Sequence, residues 1–224
     1  MRKCDLLHRQ VVSIRSRYLS FADFGSTKFH FDRKETMLHP VALIGALLIS
    51  SFGLVNPNMD QKSPPQVSES APNFQLKTLE GKQVTLTDLQ KEGPVVVVVL
   101  RGFPGYQCPL CTRQVGSLLK AGSDFKAASA KVVFVYPGPA GQLDTKAKEF
   151  MKGMKLPAPF IMVTDPSYKF TNAYGLRWDA PRETAYPSTF VVGKDGKVTF
   201  AVVSKGHAGR SKTADVVAAA KKAM

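Results

Sequence analysis

The apolar positions of this chain follow two patterns. From Val95 to Leu100 six apolar residues run without a polar break, and Lys131-Val-Val-Phe-Val-Tyr136 is nearly as continuous. Such β-branched runs predict central strands buried on both faces. Phe74-Gln-Leu-Lys and Gln83-Val-Thr-Leu alternate instead, and Glu80-Gly-Lys between them predicts a hairpin. Phe160-Ile-Met-Val predicts a short strand. Thr189-Phe-Val-Val and Lys197-Val-Thr-Phe-Ala-Val-Val flank Gly193-Lys-Asp-Gly196, the composition of a tight turn. Helices are expected over 112–128, 145–154, 167–174 and 213–223, the last Ala-rich and ending in lysines. Strands alternating with helices, then a hairpin and a terminal helix, predict an α/β fold with a central mixed sheet flanked by helices.

A different pattern precedes this domain. Residues 1–36 are mixed and aperiodic, and form an unassigned extension. No Lys, Arg, Asp or Glu occurs between Glu35 and Asp60, and the apolar run Val41–Val55 sits inside that gap. Its length suits a signal-peptide core, with Arg33 and Lys34 as the positive flank and Ser51 and Gly53 as small residues for cleavage. Residues 37–55 are therefore expected to be a signal peptide or a membrane anchor. The protein is then exported, periplasmic or secreted, and tethered if the segment stays. A translation start at Met37 would explain the long stretch ahead of it. Asn56–Ser70 is polar with three prolines and reads as a linker, so the folded domain is expected over 71–224.

The chain has 224 residues and a formal charge of +14. The basic residues are scattered and are not interleaved with aromatics, so a nucleic-acid module is not indicated. No phosphate-binding glycine pattern occurs.

Cysteine content changes the picture. Cys4 lies in the N-terminal extension, which leaves Cys108 and Cys111. Three residues apart, they have the spacing of a reversible redox pair or of half a zinc site. Beyond residue 53 the only histidine is His207, so one chain cannot close a Cys/His zinc site. The buried run 95–100 feeds a Gly/Pro loop, then Cys108-Pro-Leu-Cys111, then a helix. A thiol at a helix N-terminus meets free N–H groups and the positive end of the helix dipole, and both favour the nucleophilic thiolate. Arg101 and Arg113 are candidate cations nearby. Tyr186-Pro187 stands just before a strand, where proline cannot donate to the ladder. A cis-proline facing the cysteines would explain it, and would leave the preceding backbone free for substrate. His207 reads as a loop histidine and Trp178 as core cover.

At these residues the chain resembles the AhpC/TSA, peroxiredoxin-like branch of the thioredoxin superfamily. Ala71-Pro-Asn-Phe with Leu79-Glu-Gly-Lys is similar to the family's opening hairpin. Thr164-Asp-Pro-Ser with Ala173-Tyr-Gly-Leu, and Thr189-Phe-Val-Val-Gly-Lys-Asp-Gly, are similar to later family segments. The resemblance implies a thioredoxin-like fold with an N-terminal β-hairpin extension. It also implies a dithiol–disulfide cycle without a bound cofactor, a peroxide or protein disulfide as substrate, and a thioredoxin-type electron donor.

The family motif P-x-x-x-T/S-x-x-C falls on Pro104-Gly-Tyr-Gln-Cys108-Pro-Leu-Cys111. It puts peroxide attack on Cys111 and a thiol, Cys108, where the family has a hydroxyl. Pro187 stands where peroxiredoxins carry an arginine, and Arg101 or Arg182 is a candidate replacement. Read as thioredoxin-like, Cys108 attacks and Cys111 resolves. The expected site is thus Cys108 and Cys111 as catalytic pair, with Pro104, Tyr186 and Pro187 at the substrate. A rival reading is a binding module whose two thiols hold Cu(I) or Zn(II) at a dimer interface.

Overall fold

The computed structural model describes residues 62–224. The extension 1–36, the apolar segment 37–55 and the start of the linker lie outside the described residues. Among the described residues no helix is long and apolar enough to cross a membrane.

Val95–Val99 form strand β3, with all five valines fully buried. Strand β4 (Lys131–Gly138) pairs parallel on one side and β6 (Ser188–Val192) antiparallel on the other. Strand β5 (Phe160–Pro166) adds parallel to β4. The hairpin of β1 (Gln75–Thr78) and β2 (Gln83–Thr85) extends that side, and β7 (Val198–Val203) closes the other. The result is one mixed sheet in the order β2-β1-β5-β4-β3-β6-β7.

Side chains alternate across a strand, so β3 feeds two cores. Val95, Val97 and Val99 face Phe74, Leu86, Phe170 and Tyr174, beneath α1 (Leu86–Gln90) and α5 (Lys169–Ala173). Val96 and Val98 face Val115, Leu118, Phe125, Leu143 and Val216. These come from α2 (Pro109–Lys120), α3 (Gly122–Ala127), α4 (Leu143–Phe150) and α6 (Thr213–Lys222). Both cysteines belong to this second core.

Three local features depart from the sequence pattern. The helix expected over 112–128 begins at Pro109 and breaks at Ala121, where Gly122 passes Phe160 so closely that a Cβ would lie 3.1 Å from its ring. The helix expected from Ser167 starts at Lys169, because Ser167 and Tyr168 both take positive φ while the Asp165 carboxylate receives the N–H groups of Phe170 and Thr171. The polar stretch before residue 71 already touches the domain: Ser68 N–H donates to Val198 C=O and Val198 N–H donates back to Glu69 C=O.

Candidate active site

The site is built where β3 ends. The N–H groups of Leu100 and Phe103 donate to Val135 and Pro137 carbonyls, which ties the following loop to β4. Gly102 lies between these anchors at φ +70°, and a Cβ there would sit 1.8 Å from the Pro137 oxygen. A left-handed backbone at such close range admits only glycine. Gln107 then bridges the Tyr136 hydroxyl (2.7 Å) and the Lys146 carbonyl (2.9 Å). The chain enters α2 with Cys108 as N-cap and Pro109, which has no N–H to lose, in the first turn.

Cys108 and Cys111 are both free thiols. Cys108 is 4% exposed and Cys111 1%, so Cys108 is the more open of a buried pair. The Cys108 sulfur accepts the Cys111 N–H at 3.4 Å, as an N-cap oxygen would. The Cys111 sulfur accepts the Arg101 N–H at 3.3 Å. Arg210 completes the site: its Nη2 lies 3.6 Å from the Cys108 sulfur and 3.4 Å from that of Cys111. Its Nη1 donates to Gln114 Oε1 at 2.8 Å, one turn along α2 from Cys111. Its buried Nε–H has no partner.

These contacts split the two thiols. The Cys111 thiol donates to Cys108, and backbone N–H groups and the Arg210 charge add to this against the cost of burial, so Cys108 is pulled down to about 5. Cys111 is pushed up, first by its bond to the Cys108 thiolate and then by burial. The arrangement holds one proton on Cys111 and a negative charge on Cys108, a poised nucleophile with a resolving thiol one turn away.

Arg101 does not point to solvent. It is 2% exposed, and its Nε donates to Glu183 at 2.6 Å. It also donates to the Arg182 carbonyl and the Tyr106 hydroxyl. Its charge is matched by Glu183, so the free cation at the sulfurs is Arg210. Arg113 and Arg182 are exposed.

The remaining expected residues make the following contacts. The reading of Pro187 as a cis-proline is corrected: among the described residues the cis bond is Ala158–Pro159, and Tyr186–Pro187 is trans. The backbone before it is not free either. Tyr186 N–H donates to Leu176 C=O, and its own carbonyl accepts the Ser188 hydroxyl. Pro187 is buried, with its carbonyl receiving the Ser204 N–H. Extending the β3–β6 register by one residue sets Pro187 beside Leu100, next to the Arg101 N–H that binds Cys111. The Tyr186 ring stacks on Trp178 at 4.7 Å, and Trp178 is only partly buried and belongs to neither core, so it is not core cover. Pro104 is half-buried in the loop before Cys108. His207 bonds Glu183 at 2.9 Å. Arg210 was invisible in the sequence pattern. It stands 99 residues from Cys111, in a loop whose only cue is its position between the last strand and the last helix.

Comparison with known proteins places the fold and the family. Peroxiredoxin Q from rice, Oryza sativa subsp. japonica, is 32% identical over 131 residues, covering 58% of this chain and 56% of that protein. The chain thus spans little more than half the length of that relative. The thiol-disulfide oxidoreductase ResA of Bacillus anthracis is 25% identical over 178 residues, 77% of this chain and 91% of ResA. The crystal structure of peroxidoxin BcpB from Mycobacterium tuberculosis superposes with a TM-score of 0.55 at 18% identity, over 70% of this chain and 97% of that one. The thioredoxin-like fold expected from the motifs is therefore the fold observed. Residues 67–201 match the profile of the AhpC/TSA family, and with well over half its length matched the chain belongs to that family.

Proposed function

We propose that the protein is a thiol-dependent oxidoreductase that cycles Cys108 and Cys111 between dithiol and disulfide. The supporting observation is the asymmetry of the pair: a low, more open thiol at Cys108 and a raised, deeper one at Cys111, both against Arg210. Cys108 attacks a substrate disulfide, and one substrate sulfur leaves with the bond's electron pair. Cys111 then loses its proton and attacks Cys108, which releases the second substrate sulfur. Two electrons pass to the substrate, and the protein keeps a Cys108–Cys111 disulfide. A thioredoxin-type dithiol donor returns it to the reduced state. Exposed parts of Tyr186 and Pro104 flank the approach.

One observation favours a hydroperoxide as a second substrate class. The unpaired Nε–H of Arg210 shares the guanidinium edge whose Nη2 touches both sulfurs. A peroxide oxygen at Cys108 would find a charged donor there, standing in for the hydroxyl that the family motif lacks here. Attack breaks the O–O bond, an alkoxide or hydroxide leaves and takes a proton, and Cys108 becomes a sulfenic acid. Cys111 condenses with it, releasing water.

The metal-holding alternative fits less well. A guanidinium within 3.6 Å of both sulfurs occupies the face a soft cation would need. Export rests on the sequence of 37–55 alone.

The test runs insulin reduction and peroxide consumption in parallel, with Cys108→Ser beside the unaltered chain. Loss of nearly all activity in both assays is expected. Substantial peroxide turnover by Cys108→Ser would move the attack to Cys111, where a serine hydroxyl restores the family arrangement.

A further inference from the structure

The segment from Ser204 to Lys212 carries Arg210 between β7 and α6 without regular structure. Side chains anchor it to the body: the Ser211 hydroxyl donates to Thr189 Oγ1 at 2.9 Å and Arg210 Nη1 donates to Gln114 Oε1 at 2.8 Å. The Ser204 hydroxyl lies against the carbonyls of Gly206 and Ala208, and the backbone turns at Gly209 with φ +80°. Arg210 reaches inward to the sulfurs with its Nε unpaired. Three residues earlier His207 reaches the other way, to Glu183 at 2.9 Å, and its ring lies 5.1 Å from that of Trp178.

Glu183 is the hub. One carboxylate oxygen takes His207 and the other takes the Nε of buried Arg101. The Arg101 backbone N–H in turn donates to the Cys111 sulfur. Contacts thus run from the Cys111 sulfur through Arg101 and Glu183 to His207, and three residues of backbone link His207 to Arg210, which returns to the sulfurs. Burial works against the Glu183 charge, but Arg101 and His207 hold its carboxyl below the ordinary glutamate range, so the hub is anionic at neutral pH.

We propose that Glu183 and His207 are positioning residues that clasp the Arg210 loop onto the dithiol. They act through Arg210 and touch neither sulfur. The clasp adds a third anchor to those at Gln114 and Thr189, on the side of the loop they do not reach: the guanidinium–sulfur contacts at 3.4–3.6 Å are long, and the segment that carries Arg210 has no regular structure. This inference rests on the reading of Cys108 as the nucleophile.

The experiment measures the pH profile of Cys108 alkylation by iodoacetamide in the full chain, reduced, with the site of modification read by mass spectrometry. His207→Ala is the main variant, because the side chain is half exposed and its loss leaves Arg101 paired. Glu183→Gln is secondary, since it strips the partner from a buried arginine. A rise in the alkylation midpoint of about half a unit to one unit is expected for His207→Ala, a fraction of what an adjacent cation contributes. His207→Gln keeps an N–H donor for the carboxylate and is expected to retain the original midpoint. In an Arg210→Gln background, His207→Ala is expected to add nothing.

An unchanged midpoint in His207→Ala, or an equal rise with and without Arg210, overturns the clasp. An unaltered chain whose Cys108 titrates like an ordinary thiol overturns the functional reading instead, so the two failures are distinct.

Discussion

At the scale of single residues, the site depends on one cation reaching two sulfurs from far along the chain. Arg210→Lys separates what that cation does. Lysine keeps a point charge but loses the planar fork and the buried, unpartnered Nε–H. Disulfide reduction is expected to fall by no more than about threefold, because a nearby positive charge still favours the Cys108 thiolate. Peroxide turnover is expected to fall by at least about tenfold, the scale of one lost charge-assisted hydrogen bond. Equal losses in the two assays would remove the peroxide role assigned to Nε. The same residue marks the limit of what the sequence discloses. Cys108 and Cys111 are legible because their chemistry is local: an i, i+3 spacing before a helix states it in four letters. Arg210 is 99 positions from Cys111, and its contact exists only after the sheet has closed. Pro187 misleads for the opposite reason. Its local context suggests a cis bond, but the bond is trans and the neighbouring backbone is paired within the fold, to Leu176, Ser188 and Ser204.

At the scale of elements, burial patterns were the most legible part. The unbroken run at β3 and the Gly193–Gly196 turn between β6 and β7 both form as their composition dictates. Helix limits were not legible, because they are set by packing: α2 stops where Gly122 must pass Phe160, which no periodicity in 112–128 announces. Its start is more informative, since Cys108 is both cap and nucleophile. The two roles can be parted by substitution. Cys108→Ser keeps an acceptor for the Cys111 N–H, while Cys108→Ala removes it. The serine variant is expected to be more stable than the alanine variant by about 1 kcal/mol, the usual worth of an N-cap side chain. That corresponds to roughly 2–4 °C in thermal midpoint for a domain of this size. Both are expected to be inactive in disulfide reduction. Identical melting of the two variants would show that the sulfur carries no cap.

At the scale of the whole molecule, the site's electrostatics feed back on stability through protons. In the unfolded reduced chain Cys108 holds its proton up to the ordinary thiol value of 9.0, whereas in the folded chain it releases it near 5. Between those limits the unfolded state binds more protons, so the reduced protein gains stability as pH rises and loses it as pH falls through 5. The slope is at most about 1.4 kcal/mol per pH unit. Cys111, pushed up by its neighbour and by burial, has the opposite sign, but only above the ordinary thiol range, where the unfolded chain would lose that proton first. The oxidised protein has neither thiol at this site. Its short disulfide loop contributes roughly 2 kcal/mol through the unfolded chain, independent of pH. Ionisable groups away from the two cysteines are common to both redox forms and largely cancel in a comparison of the two. Subtracting the unfolding free energy of the oxidised protein from that of the reduced one, by denaturant titration from pH 5 to 9, therefore isolates Cys108. The difference is expected to climb steadily in favour of the reduced form, and Arg210→Gln is expected to shift the onset of the climb to higher pH. A flat difference across the range would mean that Cys108 keeps its proton in the folded protein, and that neither Arg210 nor the end of α2 activates it.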